Sequence, residues 1–222
     1  MRIDIVTFDL GGTTIRDTAN VGAVFSSVLQ QHGIVVADEA LSVVRGASKR
    51  RVIEELAART KQSGIDTEEI YRAFQERLLQ AFAANGVQAI PGIEETFRNL
   101  RRMGITTALT TGFDRRVTEE LLSRLRWKGL VDCVVTADDV ENGRPSPDMI
   151  LHAMRRTGVT DPAAVAALGD TINDLNAAAA AHVGVAIGVL TGAHSRQQLE
   201  SVPHTAILQD ATELPQWLAD HS

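Results

Sequence analysis

After its first residue, the chain begins with RIDIVTFDLGGTT, residues 2–14. The part from Ile3 to Phe8 is an apolar, β-branched run that predicts a buried strand. Asp9 stands at the end of this strand, and after Leu10 come two glycines and two threonines. In an open α/β sheet, ligands bind at the carboxyl ends of the strands. The stretch therefore predicts that the Asp9 carboxylate lies at the ligand-binding edge of a sheet.

The residues after Asp9 are suited to holding an anion. Gly11 and Gly12 allow a tight turn, and consecutive N–H groups in such a turn form a concave site for phosphate oxygens. Thr13 follows in the same turn and is predicted to bind phosphate with them. The simpler interpretation is that Asp9 caps a helix and the glycines only make a turn. This stretch alone leaves both interpretations open.

Composition narrows the classes of protein. The chain has 222 residues, 44% of them apolar, which is ample for a buried core. The net charge of −6 argues against a nucleic-acid-binding protein, so a small anion would be held by a few local cations or a metal. Without a basic-apolar leader or an apolar run near about 18 residues, we expect a cytoplasmic protein with no membrane partner. The single cysteine, Cys133, is expected to be buried and inert.

The pattern of apolar residues divides the chain into two parts. Helical spacing dominates from the first strand to about residue 88, with helices predicted over residues 19–32, 38–44, 48–60 and 67–84. From residue 91 onward strands alternate with helices, which predicts a parallel sheet with right-handed crossovers. We therefore expect an α/β, Rossmann-like core of residues 1–16 and 89–222. Residues 17–88 are expected to form an all-helical cap inserted after the first strand.

Two more strand ends carry polar groups. Thr110-Thr111-Gly112 follows a predicted strand and offers a hydroxyl and exposed amides to a phosphoryl oxygen, although a helix cap also explains it. Gly143-Arg144-Pro145 precedes a helix, and a fixed guanidinium can bind two phosphate oxygens.

The last strand end, Gly169-Asp170-Thr171-Ile172-Asn173-Asp174, places two carboxylates four residues apart around a strand-to-helix turn. One or two carboxylates together with a substrate phosphate are what Mg²⁺ prefers. Helix capping is the alternative for Asp170, but we expect Asp174 to lie too far into the helix for it. The histidines at 152, 182 and 194 have no ligand spacing and are expected on the surface or in the cap.

Taken in this order, the four segments resemble those of the haloacid dehalogenase superfamily over nearly the whole chain. The resemblance implies a Rossmann-like core with a helical cap, and it implies that Asp9 is the nucleophile attacking phosphorus. Thr111 and Arg144 would stabilise the phosphoryl group, with Gly11, Gly12, Thr13 and Gly112 around it. Mg²⁺ would be held by Asp9, the Gly11 carbonyl and Asp170. Asp174 would be a further ligand or would support one of the ligands.

One position departs from most phosphatases of this superfamily. They carry a second aspartate, a general acid and base, two residues after the nucleophile, where this chain has Gly11. General acid help to a leaving alkoxide contributes roughly 10²–10⁴-fold. The group with a small residue there is the phosphonatase-like one, which includes phosphonoacetaldehyde hydrolase and lies near the β-phosphoglucomutases. In it a cap lysine forms a Schiff base with the substrate aldehyde, and no alkoxide has to be protonated.

The matching cap segment here is Arg45-Gly46-Ala47-Ser48-Lys49, which places Lys49 at the imine-forming position and Arg45 and Gly46 beside the substrate. The helix N-terminus and the neighbouring cations are expected to disfavour the charged form of Lys49. A solvated lysine or a simple anion clamp is the alternative. Two differences stand out: Val52 replaces the subfamily's histidine, and Arg45, which replaces its methionine, is suited to a second substrate anion.

Three hypotheses follow. The first is a Mg²⁺-dependent, phosphonatase-like hydrolase acting on a small phosphonate through an aspartyl-phosphate on Asp9. The second is a phosphate-monoester phosphatase of the same fold, and the third is a non-catalytic protein that binds a phosphorylated ligand. A nucleotide-binding Rossmann protein fits poorly, because no G-x-G-x-x-G opens a helix. The sequence leaves the choice between monomer and homodimer open.

Overall fold

The computed structural model describes residues 2–36, 47–60 and 64–221. The strands are β1 (Ile5–Asp9), β2 (Thr106–Thr110), β3 (Cys133–Val135), β4 (Val165–Gly169), β5 (Val185–Val189) and β6 (Ala206–Leu208). The α-helices in this part of the chain are α1 (Val21–Gln31), α2 (Lys49–Arg59), α3 (Thr67–Asn85), α4 (Ile93–Arg102), α5 (Arg115–Leu125), α6 (Asp148–Thr157), α7 (Ile172–Ala180), α8 (Arg196–Leu199) and α9 (Leu214–Asp220).

The strands form one parallel sheet in the order β3-β2-β1-β4-β5-β6. This order reverses direction between β1 and β4, and such a switch point opens a crevice outside the carboxyl ends of the strands. The register pairs Asp9 with Thr110 and Phe8 with Leu168. The segments after β1, β2 and β4 therefore leave the sheet side by side.

Helices cover both faces of the sheet, and this is why β1 is buried along its whole length. Phe8 points to one face, where its ring meets Phe97 of α4 edge-on at 5.3 Å, and Phe97 meets Trp127 in the same way at 5.4 Å. Ile5 points to the other face and belongs to the apolar cluster that includes Met149 of α6. Because its side chains alternate between the two faces of the sheet, β1 contributes to the apolar core on both sides.

The helices α1 to α3 lie in sequence between β1 and α4 and share the apolar cluster of Phe8. In this insert, Phe25 of α1 meets Phe74 of α3 edge-on at 5.3 Å. Asp66 caps α3 by accepting hydrogen bonds from the amides of Glu68 and Glu69. The insert therefore packs partly on itself and partly on the sheet domain.

The two connections between the insert and the sheet run next to each other. Ile15 forms an antiparallel bridge with Ala89, and the amide of Arg16 donates to the carbonyl of Gln88 at 2.8 Å. A pair of adjacent connections suits a hinge, and this geometry supports the division at residues 16/17 and 88/89. That division stays a prediction.

The structure confirms the predicted fold class, an α/β Rossmann-like arrangement with a parallel sheet. The alternation of strands and helices predicted from residue 91 onward is present, and the C-terminal segment begins with a 3₁₀ turn at Ala211–Glu213 before α9. The helix predicted over residues 38–44 lies outside the described residues. Among the described residues, none of the helices combines the length and the apolar character that a membrane span requires. Cys133 is buried as expected, and burial raises the pKa of its thiol.

The loop from β3 towards α6 is fixed by Asp139. Its carboxylate accepts hydrogen bonds from both the amide and the hydroxyl of Thr136 at 2.8 Å, forming a capping box, and it pairs with Arg115 at 2.5 Å. Burial acts to raise the pKa of Asp139, but these hydrogen bonds and the charge of Arg115 outweigh it and hold the pKa below its ordinary value. This loop leads to Arg144.

We expect Asp139→Asn to lower the free energy of unfolding by about 1 kcal/mol at pH 7, the usual cost of a lost cap. Because the pKa of Asp139 is depressed in the folded state, its stabilisation is present above the unfolded-state pKa and is lost as pH falls through the folded-state pKa. The gap between variant and wild type should therefore narrow below about pH 4. Urea unfolding at a series of pH values measures it, with exposed Glu119→Gln as the control. A gap that does not change with pH would contradict this account.

Candidate functional site

The centre of the site is an ion pair between strand ends. Arg144 Nη1 lies 2.6 Å from Asp9 Oδ1 and also contacts Asp174 Oδ1. The three side chains are at most 7% exposed. Charges at such short distances interact far more strongly in a buried site than in water. The segments after β1, β3 and β4 are therefore joined by one guanidinium.

Burial sets the protonation behaviour of these groups. It raises the pKa of Asp9 to about 7, against the opposing effect of the Arg144 charge. Burial and then the charge of Asp9 raise the pKa of Asp170 well above its usual value. Burial acts to lower the pKa of Arg144, but the charges of Asp174 and Asp9 outweigh it and keep the guanidinium protonated. Its Nε has no hydrogen-bond partner among the described residues, so the group has unused donor capacity.

Asp170 is held by the loop after β5. The Ala193 amide donates to Asp170 Oδ2 at 2.6 Å, and the hydroxyl of Thr13 lies 3.5 Å from Oδ1. The same loop reaches the turn after β1, because the Thr191 hydroxyl donates to the carbonyl of Gly12 at 2.6 Å. We call residues 191–194 the clamp loop. It fixes the Asp170 carboxylate and the glycine-containing turn after β1 at once.

The clamp loop is the part of the site that the sequence analysis missed. His194 was expected on the surface or in the cap, but it is only 7% exposed. Its Nδ1 accepts a hydrogen bond from the Ile172 amide at 2.9 Å, and its own amide donates to the carbonyl of Asp170. The position of this loop at the end of β5 was the available signal, since it is the same edge of the sheet that carries the other segments.

Asp174 does cap its helix, contrary to the expectation from sequence. Its Oδ2 accepts hydrogen bonds from the amide and the hydroxyl of Thr171, and the Thr171 hydroxyl in turn accepts from the Asp174 amide. This capping box opens α7, since Asp174 occupies its third position. The other oxygen of Asp174 contacts Arg144. Asp174 thus orients Arg144, and of the two carboxylates after β4 only Asp170 faces the cavity.

A cavity of about 970 Å³ opens in front of this cluster. Its wall includes Asp9, Gly11, Gly12, Lys49, Thr111, Gly112, Arg144 and Asp170. Lys49 is the first residue of α2, so the insert brings an amine to the same space as the Asp9 carboxylate. Its Nζ donates to the carbonyl of Ala47 at 3.2 Å and lies 5.5 Å from the centre of the Phe25 ring.

These contacts modify one electrostatic argument from the sequence. Arg50 was expected to disfavour a charge on Lys49, but its guanidinium is paired with Glu68 and stacks on Tyr71. A carbonyl oxygen and an aromatic face both attract an ammonium group. The helix N-terminus, by contrast, is unfavourable to a charged Lys49.

The space at Gly11 is bounded by an aromatic ring. A Cβ there would meet the Phe113 ring at 3.8–3.9 Å, which is ordinary van der Waals contact. Of the acidic residues on the cavity wall, Asp17 is the one away from the strand ends, and both its carboxylate oxygens accept a hydrogen bond from the Val21 amide. Apart from Asp17 and the carboxylates at the strand ends, the described wall carries no acidic side chain.

Other predicted site residues are placed as follows. Thr111 is buried at the end of β2 and its hydroxyl accepts a hydrogen bond from the Phe113 amide. Thr13 is fully buried behind Asp170, so supporting Asp170 suits its position better than touching phosphate. Arg45 and Gly46 lie outside the described residues.

With this fold and this set of strand ends, the chain belongs to the family of haloacid dehalogenase-like hydrolases, whose model matches residues 6–207. It is therefore a hydrolase of that family.

Known proteins similar to the chain include a phosphonoacetaldehyde hydrolase from Bacillus cereus, with 28% identity over 91% of this chain and 83% of that one. A solved hydrolase from Pseudomonas syringae has a TM-score of 0.85 at 23% identity, covering 98% of both chains. A phosphonoacetaldehyde hydrolase like protein from Oleispira antarctica has a TM-score of 0.83 at 21% identity, over 99% of this chain and 92% of that one. These two structures support the fold.

We expect Gly192→Ala to lower the free energy of unfolding by about 1–3 kcal/mol, because the added methyl group would overlap the Asp170 carboxylate. Urea unfolding measures the loss. The double variant Gly192→Ala/Asp170→Gly should lose less than the sum of the two single losses, since removal of the whole Asp170 side chain, including its Cβ, removes the overlap. The control is Gly22→Ala, where a Cβ meets nothing within 4 Å, so its stability should be unchanged or slightly raised. If the losses in the free energy of unfolding were additive, the clamp loop would not be in close contact with the Asp170 side chain.

Proposed function

We propose that the chain is a Mg²⁺-dependent, phosphonatase-like hydrolase that cleaves a C–P bond through an aspartyl-phosphate on Asp9. Phosphonoacetaldehyde or a similar small phosphonate is the proposed substrate. The observation that carries this proposal is the pairing of a carboxylate and an amine on one cavity wall, with glycine at the general-acid position. The similarity to phosphonoacetaldehyde hydrolases supports it.

In the proposed reaction, Asp9 supplies the nucleophilic oxygen and Arg144 neutralises the phosphoryl oxygens. Attack by a carboxylate on an anionic phosphonate is repelled until such charges are compensated. The hydroxyl of Thr111 and the amides around Gly12 and Gly112 are suited to the remaining oxygens. Water then hydrolyses the aspartyl-phosphate and regenerates Asp9, so that the displacement occurs in two easier steps.

The residues present fit a Mg²⁺ ion. Asp9, Asp170 and Asp174 bring three carboxylates to Arg144, so two negative charges are left uncompensated when all are ionised. No group of three His, Cys, Asp or Glu side chains among the described residues forms a metal-binding set. Mg²⁺ does not require such a set, because it is usually held by one or two carboxylates, water and substrate phosphate. Asp9, Asp170 and the carbonyl of Gly11 would hold the ion, which would supply charge neutralisation at the phosphoryl oxygens.

Lys49 provides the electron sink. Its amine condenses with the substrate aldehyde, releases water and forms an iminium ion. As phosphorus passes to the Asp9 oxygen, the electron pair of the C–P bond moves into this iminium and gives an enamine. Protonation at carbon and hydrolysis then release acetaldehyde and restore Lys49. No alkoxide leaves, so the reaction does not need the acid that Gly11 omits.

The cavity favours a second candidate function in one respect. Its volume of about 970 Å³ exceeds what a two-carbon aldehyde fills, and Asn20, Ser26 and Gln30 of the insert line it with polar groups. A phosphate-monoester phosphatase acting on a larger hydroxylated substrate would use these groups. Its leaving oxygen would then take a proton from the substrate itself or from solvent.

Three variants separate these functions. We expect Asp9→Asn to reduce phosphate release by at least about 10³-fold from every substrate, because it removes the nucleophile. Lys49→Ala should abolish release from phosphonoacetaldehyde while leaving ester hydrolysis within about tenfold, since only the C–P reaction uses the amine. Lys49→Arg is the matched control, because it keeps the positive charge but forms no imine. Phosphate release from a panel of phosphonates and esters is the measurement.

The outcomes discriminate clearly. If Lys49→Arg retains C–P cleavage, Lys49 is an anion clamp and the imine step is wrong. If only esters are hydrolysed by the unmodified protein, the phosphatase function replaces the first proposal. A protein that hydrolyses neither, and does not form an acyl-phosphate mimic with beryllium fluoride and Mg²⁺, would be a non-catalytic binder of a phosphorylated ligand.

A further inference from the structure

The start of α2, which carries Lys49, rests on the loop that carries Arg144. Arg51 Nη1 donates a hydrogen bond to Asn142 Oδ1 at 2.5 Å. Ser48 packs against Gly143 closely enough that a Cβ on Gly143 would meet its Cβ and amide nitrogen at 3.3 Å. Lys49 is thus flanked on both sides by contacts with the residues just before Arg144.

The partner of Arg51 is itself fixed. The amide and the side-chain nitrogen of Asn142 both donate to Asp148 Oδ2 at 3.2 Å. The other oxygen of Asp148 accepts a hydrogen bond from the Ser146 hydroxyl at 2.7 Å. Asp148 is the first residue of α6, so Asn142, the partner of Arg51, is held by a helix of the core.

A second contact joins the insert to the core at the end of β2. The Tyr71 hydroxyl donates to Asp114 Oδ2 at 2.8 Å, and both residues are 4% exposed. Asp114 Oδ1 accepts a hydrogen bond from the Val117 amide as the N-cap of α5, so this partner is fixed as well. Asp114 comes two residues after Gly112. The Arg51–Asn142 contact therefore lies next to Arg144, and the Tyr71–Asp114 contact lies next to Gly112. The proposed reaction uses both of these segments.

Arg50 connects the two contacts within the insert. It lies on α2, and its guanidinium carbon is 4.3 Å from the centre of the Tyr71 ring on α3. The three consecutive cations of α2 thus have different surroundings: Lys49 lines the cavity, Arg50 braces α2 on α3, and Arg51 touches the core.

We propose that Arg51 and Tyr71 are positioning residues that seat the insert on the core so that Lys49 faces Asp9. The consequence for catalysis rests on the proposed function. Neither side chain lines the cavity, so both act through the placement of α2 and not by touching substrate. A misplacement of about 1 Å in a reacting group can cost roughly 10²-fold in rate.

The first test measures placement without catalysis. Spin labels on Glu76→Cys in α3 and Arg155→Cys in α6, with buried Cys133 replaced by Ala, report the distance between insert and core by double electron–electron resonance. We expect one narrow distance distribution in the parent protein and a broader or longer one with Tyr71→Phe or Arg51→Gln. Arg72→Gln, exposed on the same helix as Tyr71, is the control and should leave the distribution unchanged.

The second test measures imine formation. Phosphonoacetaldehyde with borohydride should reduce the Lys49 adduct onto the protein, and mass mapping distinguishes it from adducts on Lys61 or Lys128. We expect Tyr71→Phe and Arg51→Gln to slow this trapping by about 10–100-fold at saturating aldehyde, with Arg72→Gln unchanged. Thermal unfolding of each variant verifies that it is folded, and the exposed Arg51 is the substitution least able to unfold the chain.

The two tests fail in different ways. Unchanged distance distributions in both variants overturn the positioning role, whatever the activity. Broadened distributions without any Lys49 adduct in the parent protein leave the positioning role standing and reject the proposed imine chemistry. Broadened distributions with unchanged trapping show that seating does not control Lys49, which overturns the inference.

Discussion

The structure depends on holding three buried carboxylates close together at one edge of the sheet. Asp9, Asp170 and Asp174 are all buried, and Arg144 is the cation that contacts two of them. An isolated buried carboxylate would be strongly destabilising, so the site requires compensation by pairing and hydrogen bonds. The loops after β1, β3, β4 and β5 supply that compensation. Their conformations are therefore determined by the charges as much as by the turns they make.

Close approach of backbone segments makes this crowding possible. A side chain at Gly12 or Gly192 would collide with Asp170, and one at Gly169 would collide with Asp174. Gly12 also has φ = +85°, a conformation that favours glycine. Glycine at these points thus lets three turns reach the same carboxylates, and the amide of Ala193 can approach Asp170 directly.

Much of this arrangement could be predicted from local sequence. The apolar run before Asp9 gave a buried strand, and the alternation after residue 91 gave the parallel sheet, because both signals depend on periodicity within one element. The clamp loop and the Tyr71–Asp114 contact could not be predicted, since they join residues 23 and 43 positions apart whose meeting depends on the sheet order and on the docking of the insert. Asp174 was misjudged for a local reason: Thr171, not Asp170, is the N-cap, which places Asp174 at the third helical position.

The positions of the two tryptophans give the chain an optical reporter of its sheet. Its two tryptophans, Trp127 and Trp217, both lie in the sheet domain, the first with its indole N–H bonded to Glu94 and the second stacked on His221 at 4.2 Å. Its one tyrosine, Tyr71, lies in the insert at the junction with the core. Tryptophan emission therefore reports on the part of the chain that forms the sheet, because the single phenol of Tyr71 absorbs too weakly beside two indoles to be separated from them. The sheet can be followed by fluorescence without any added label.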